Sequence, residues 1–288
     1  MTLLAIPNVS EGRDEATIKK IADAFDARLL DVHSDPDHHR SVFTLAGEPG
    51  ALARAVVSGA AEAVRTVDLN KHEGIHPRIG AIDVAPIVYL DPAERGAACA
   101  EALVLGDLLG DELELPVFLY GELAQGRTRA ELRRGGPAML AKRLESSELR
   151  PDFGPSNLHP TAGAVLVAAR PPLVAFNVEL APPATLEVAR SIAAKIREGG
   201  PEGLESVRAI GLWLAARDVA QVSTNVEDHR MTPLARVVEA IARHATPSQA
   251  ELVGLAPRAA FEGFPGGIPI ANRRVVEDAL EDWRDRTS

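Results

Sequence analysis

Residues 71 to 84 read KHEGIHPRIGAIDV, and within them His76, Pro77 and Arg78 form a group able to do acid–base chemistry. Pro77 restricts His76 to extended or turn geometry and removes a backbone donor, while Gly74 weakens any helix before it. The imidazole therefore stands at a strand entrance on a stiff backbone, which suits a proton shuttle that must hold its position. A solvent-facing turn histidine is the competing reading. In a strand starting near Ile79, Arg78 and Asp83 have opposite parity and no ion pair is expected between them, so Arg78 is left to hold an anionic group bidentately.

A second cluster is DVHSDPDHHR, residues 31 to 40, with Asp35, Asp37 and Arg40 among its polar side chains. Zinc or non-haem iron is the first chemistry such a set suggests. No cysteine pair accompanies it, and His72 and His76 reach helical spacing only across Gly74, so no metal is expected. The alternative is a solvated hairpin turn. A third stretch, PDFGPSNLHPTAGA at residues 151 to 164, carries three prolines and few apolar side chains, so it must be a loop. A flexible linker would be richer in serine and glycine, and a stiff loop at a seam between repeats suits a ligand. No P-loop, Rossmann fingerprint, nucleophile elbow or zinc-protease helix is present.

The elements that must position these residues alternate in period. LLAIPNV reads as a strand, Ser10 as the N-cap of a helix through DEATIKKIADAFD, and ARLLDVHS and HRSVFTLAG as two strands paired across a polar turn. PGALARAVVSGAAEAVRTV is a helix and IGAIDVAPIVYL a strand. The second half repeats the order: strands in GAVLVAARPPLVAFNVEL, helix ATLEVARSIAAKIREG, strands VRAIGLWLA and AQVSTNVED, helix MTPLARVVEAIARHA and strand AELVGLAP. Two tandem βαββαβ units predict an α+β protein of duplicated ferredoxin-like subdomains, residues 1–165 and 166–288, each an antiparallel sheet with helices packed on it. Between the units lie helical segments, a short strand PVFLYGEL and a basic stretch RTRAELRRGG with no assigned role.

The 288 residues suffice for one large domain or two ordinary ones. A net charge of −10 argues against nucleic acid or an anionic membrane as partner and leaves small molecules or other subunits. The lone cysteine, Cys99, reads as a small buried hydrophobe in a helix. No signal segment and no run of eighteen apolar residues occurs, so a cytoplasmic protein is expected.

The ordered blocks IPNVSEG, LLDV, RSVFT, HEGIHPRIGAIDVAPIV, YGE, PDFGPS, AARPPLVAFNV, AQVSTNVEDHRMTPL and ELVGL run along most of the chain. Together they resemble the formiminotransferase family, the folate-dependent glutamate formimidoyltransferases. The resemblance implies transfer of a formimino group from N-formimino-L-glutamate to N5 of tetrahydrofolate, a step of histidine breakdown, with tetrahydrofolate as co-substrate. It assigns the catalytic role to His76. It assigns folate binding to the loop Gly154, Pro155, Ser156, Asn157, Leu158, His159, Pro160, Thr161, Ala162 and Gly163, with the folate between the two subdomains. The chain departs from the mammalian pattern at His33, in the turn DPDHHR, and at His159 and Ala162. A homodimer is expected, and ammonia release from the product is expected of a separate cyclodeaminase protein.

The reaction explains the need for such a histidine. One group must take the proton from the attacking nitrogen and supply one to the departing glutamate nitrogen, and an imidazole titrating near neutrality suits both steps. Asp35, Asp37, Arg40 and Arg78 are candidates to hold the amidinium and the carboxylates of the substrates. Three alternatives stand beside this reading: N-formylglutamate as donor, a folate-binding protein without catalysis, and a metal-dependent amidine hydrolase built on the DPDHHR and HPR histidines.

Overall fold

Pro7 interrupts the first apolar run, because a proline cannot donate to a sheet ladder. In the computed structural model, which describes residues 1–287, that run forms two short strands, β1 (Leu3–Ala5) and β2 (Asn8–Val9). Helix α1 (Glu15–Ala24) is capped by Asp14, whose carboxylate accepts from Ala16 N at 3.0 Å. Ser10, the expected cap, is instead part of the sheet edge: its amide donates to Ala81 O and its hydroxyl to Gly80 O, each at 2.7 Å. Strands β3 (Arg28–Asp35) and β4 (Arg40–Gly47), helix α2 (Leu52–Thr66) and strand β5 (Ile82–Val88) follow. The crossover beyond them holds α3 (Arg95–Glu112), β6 (Val117–Leu119), α4 (Arg129–Arg133) and α5 (Gly136–Glu145), and leads to β7 (Val165–Arg170).

β4 pairs with β3 on one side and with β1 and β2 on the other, all antiparallel, and β1 and β2 pair antiparallel with β5. The sheet then departs from the all-antiparallel expectation: β7 runs parallel to both β5 and β6. Parallel neighbours require a long crossover, which the segment between β5 and β7 supplies. The chain divides into units Met1–Pro171 and Pro172–Ser288, since β7 is hydrogen-bonded inside the first sheet.

Side chains alternate across the first sheet. Leu3, Phe43, Leu45, Val165 and Val167 face α1, α2 and α3, where Ile21, Val56, Ala60, Leu105 and Leu109 close the main core. On the other face Val84, Leu166 and Ala168 pack with Tyr120, with Leu132 of α4 and with Leu140 and Leu144 of α5. That second face turns polar toward β3 and β4, where Asp31, His33, Asp35, Thr44 and Asn8 are buried. The site described below stands there.

The second unit holds β8 (Val174–Leu180), α6 (Leu186–Ile196), β9 (Val207–Leu214), β10 (Val219–Val226), α7 (Leu234–Ala242), β11 (Pro247–Val253), β12 (Ile270–Ala271) and α8 (Val276–Thr287). Its sheet order is β12-β11-β8-β10-β9, antiparallel except for the parallel pair β11 and β12. One face carries the core of Val174, Phe176, Val178, Val222 and Leu252 under α6 and α7, and the other buries Asn177, Gln221 and Glu251. The fold is mixed α+β with two sheets.

Candidate active site

His76 lies in an irregular segment ahead of β5 that is tied from within. Arg78 donates from Nη2 to His72 O at 2.8 Å and from Nη1 to Gly74 O at 3.0 Å and His76 O at 3.2 Å. Its guanidinium therefore closes the loop around His76, where the sequence pointed to a hold on substrate. Asp83 ends the same clip, accepting from Ile79 N at 2.8 Å, and pairs with Arg133 of α4.

The turn after β3 brings the second cluster to His76. Asp35 and Arg40 are cross-strand partners, and Asp35 caps the turn by accepting from His38 N at 2.8 Å, with its other oxygen 3.0 Å from His38 Nδ1. Asp35 is thus a positioning group for His38, whose ring centroid is 6.1 Å from that of His76. Asp37 is partly buried at the tip of the turn. His39 adopts φ +50°, a region that histidine visits more readily than bulky residues, and its ring stacks on His72 at 4.0 Å. It also meets Glu73 O at 2.9 Å and Glu11 Oε1 at 3.1 Å, while His72 Nε2 bonds His39 O at 2.9 Å. Gly12 lets the IPNVSEG segment lie against this turn: a Cβ there would sit 2.4 Å from Arg40 N and from Asp35 O.

Arg40 reaches from β4 to the centre. Its Nη1 lies against both imidazole nitrogens of His76 and donates to the one that carries no proton, and its Nη2 donates to Asn8 Oδ1. Both partners are neutral when the imidazole is unprotonated. Burial, with the charge of Arg133 adding to it, brings the Arg40 guanidinium down to about 9, an unusual position for an arginine. Burial and then the positive charge of Arg40 hold His76 well below its ordinary 6.5, so the ring is neutral at pH 7. His72 is brought to about 4, chiefly by burial. Glu11 is held low by the amides of Asp14 and Arg13 and by His39, although burial, the largest influence, opposes this.

The loop 154–163 belongs to the first unit and precedes β7 in the chain. Its far end is clamped to the strand that His76 leads into. Ala81 N donates to Ala162 O at 2.8 Å and Ala164 N to Ile79 O at 2.9 Å. Gly163, at φ +71°, is required there, since a Cβ would stand 2.1 Å from Ile79 O. Within the loop His159 and Gly163 exchange backbone bonds at 2.9 and 3.0 Å, and the His159 ring accepts from Ala162 N at 3.0 Å. Thr161 O accepts from Leu69 N at 2.8 Å and Pro160 O from Asn70 Nδ2 at 3.1 Å. Gly154 is the near hinge at φ +77°. Ser156 and Asn157 are exposed at the tip, flanked by the partly buried Pro155 and Leu158.

The structure therefore assembles His76, Arg40, His38 and Asp35 on one sheet face and attaches the proline-rich loop to the same strand entrance. It adds Asn8, Asp83, Arg133 and Tyr120, which sequence reasoning did not assign; RTRAELRRGG was the only trace of Arg133. Among the described residues no three His, Cys, Asp or Glu side chains are arranged to hold a metal ion. Cys99 is half-buried rather than buried, with Sγ 3.7 Å from Glu122 Oε1, and burial and that carboxylate push its thiol up. No helix among the described residues is long and apolar enough to cross a membrane.

Comparison with known proteins agrees with this layout. Residues 2–170 match the formiminotransferase domain, N-terminal subdomain, and residues 175–262 match the formiminotransferase domain. A glutamate formimidoyltransferase of Thermoplasma acidophilum is 35% identical over 270 residues, covering 89% of this chain and 88% of the relative. One from Streptococcus pyogenes serotype M1 is 36% identical over 268 residues, covering 89% of each. The formimidoyltransferase-cyclodeaminase of Rattus norvegicus is 38% identical over 269 residues, which is 88% of this chain but 49% of the relative, so the chain spans about half the length of that protein. With both subdomains matched and such identity held along most of its length, the chain belongs to the formiminotransferase family.

Proposed function

We propose that this protein is a glutamate formimidoyltransferase that moves the formimino group of N-formimino-L-glutamate to N5 of tetrahydrofolate, giving 5-formiminotetrahydrofolate and L-glutamate in histidine degradation. The observation that carries the reading is His76, a neutral imidazole on a braced strand entrance, next to the clamped loop 154–163. The names of the Thermoplasma and Streptococcus relatives support the same activity. Tetrahydrofolate is read as a co-substrate seated on the loop, with Ser156 and Asn157 offering donors and acceptors to its polar edge.

In this mechanism the N5 lone pair adds to the amidine carbon and a tetrahedral adduct forms. His76 takes the proton that N5 must lose, and the imidazolium returns it to the glutamate nitrogen as the old C–N bond breaks. The amine leaves neutral and the proton count closes. A base held neutral at pH 7 can accept without first losing a proton of its own. Arg40 must yield one imidazole nitrogen as the proton arrives, and its positive charge then favours the onward transfer. Asp35 and Asp37 support the site at the turn, Asp35 by holding His38.

We read each unit as ferredoxin-like: the support is the βαββαβ order in both and the placing of the first strand between the third and fourth. A cytoplasmic homodimer belongs to the same proposal. The test is to mix the protein with tetrahydrofolate and N-formimino-L-glutamate and follow L-glutamate. Release that requires both substrates is expected, and release without tetrahydrofolate would overturn the transferase reading.

A further inference from the structure

Two guanidinium groups, of Arg40 and Arg133, act on His76, a third, of Arg129, acts on Arg40, and the mechanism above uses one of them. Arg40 donates to Asn8 and to His76, so among the described residues it has no carboxylate of its own. Arg133 pairs with the buried carboxylate of Asp83, the two side chains being 12% and 2% exposed. Arg129, one helical turn earlier on α4, lies over the Tyr120 ring at 5.7 Å. Leu132 anchors α4 in the same apolar cluster as Tyr120, Ile79 and Val84, and residues at i and i+4 share a helix face. From the basic stretch RTRAELRRGG, Arg129 and Arg133 thus lie on the side of α4 that meets this sheet face, while Arg134 is exposed.

Around Arg40 and Arg133 the polar atoms left over are donors. Arg40 Nε, Arg133 Nε and the Tyr120 hydroxyl are buried and have no hydrogen-bond partner. Each can donate, and none of the three atoms has an acceptor within the protein. A buried guanidinium facing neutral partners is costly unless a negative charge arrives from elsewhere. Arg133 also raises the positive potential felt by both Arg40 and His76.

We propose that Arg133, with Arg40 and Tyr120, forms the seat of a substrate carboxylate, and that Arg133 is a binding residue of the transfer site. The ligand class is a small organic carboxylate, which the donor amino acid and the glutamate tail of the folate both carry. Asp83 sets the angle of the Arg133 guanidinium and, through Ile79 N, ties that angle to the segment holding His76. The inference rests on the transferase reading for the names of the substrates, but not for the chemistry of the seat.

The test uses L-glutamate and tetrahydrofolate as separate ligands in calorimetry, and both KM values in the transfer assay. Arg133→Gln should weaken L-glutamate and raise the KM for N-formimino-L-glutamate by about 10- to 100-fold, the worth of a charge-assisted hydrogen bond. Because Arg133→Gln leaves Asp83 buried and unpaired, the double variant Arg133→Gln, Asp83→Asn keeps a neutral pair and should show the same loss with a melting temperature near that of the parent. A loss confined to tetrahydrofolate would support the seat with the folate tail as its occupant. Unchanged affinity and KM for both ligands in the folded double variant, or a fall in kcat alone, would overturn it. If the parent protein transfers nothing, the function reading fails while binding of L-glutamate still decides the seat.

Discussion

Arg40 Nη1 meets both ring nitrogens of His76, of which one can accept from it, while its Nη2 donates to Asn8 Oδ1. A guanidinium can donate only to a nitrogen that carries no proton, so the contact selects the neutral imidazole. The same positive charge opposes protonation of the ring. Arg40 was expected at a substrate carboxylate, and its first effect is on the base itself.

His76→Ala should lower kcat by about 10²- to 10⁴-fold, the usual worth of a positioned acid–base group. The side chain is only partly buried and lies outside all three apolar clusters, so the melting temperature should change little. Steady-state kinetics and a thermal melt check both halves. A folded and fully active variant would remove His76 from the mechanism.

The acid limb of kcat/KM should lie below pH 6.5. A base must be deprotonated to act, and a lowered pKa moves the loss of activity to lower pH. Arg40→Met removes one positive neighbour but not the burial, the larger cause, so the limb should shift upward by only part of the distance to 6.5. A limb already at or above 6.5 in the parent would contradict a depressed His76.

Stability should fall between pH 6.5 and about 4, in part through His72, which is held at about 4 by burial. The unfolded chain binds this proton first, so protonation favours unfolding through that window, and the effect levels out below it. His76 acts in the same direction. His72→Gln retains a donor for His39 O and should flatten, without abolishing, the fall in melting temperature over that range.

In the proline-rich loop, Ser156→Ala and Asn157→Ala should each weaken tetrahydrofolate by about 3- to 10-fold, the range of one net hydrogen bond, with little change in melting temperature. Both side chains are exposed at the tip. His159→Ala should do the reverse, because the ring accepts from Ala162 N inside the loop and its loss unties the structure. Calorimetry with tetrahydrofolate and thermal melts separate the two effects. Equal affinities in the tip variants would place the folate elsewhere.

Local chemistry was legible because it depends on neighbours in sequence. Pro77 and Gly74 fixed His76 outside any helix, the prolines of 151–164 marked a loop, and periodicity located nearly all strands and helices of the two repeats. The parallel insertion of β7 beside β5 was not legible, since strand pairing across a long crossover leaves no local pattern. For the same reason β7 belongs with the first unit, Met1–Pro171. Side-chain partners were the least predictable: Arg78 turned inward onto three backbone carbonyls, and Arg133 came from a segment 50 residues away to meet Asp83. The sequence by itself determined which residues could carry a proton and where the backbone would be stiff. Which charges surround that proton was decided only when β2, β4, β5 and α4 converged on one sheet face, because electrostatic interactions follow distance and burial in space rather than separation along the chain.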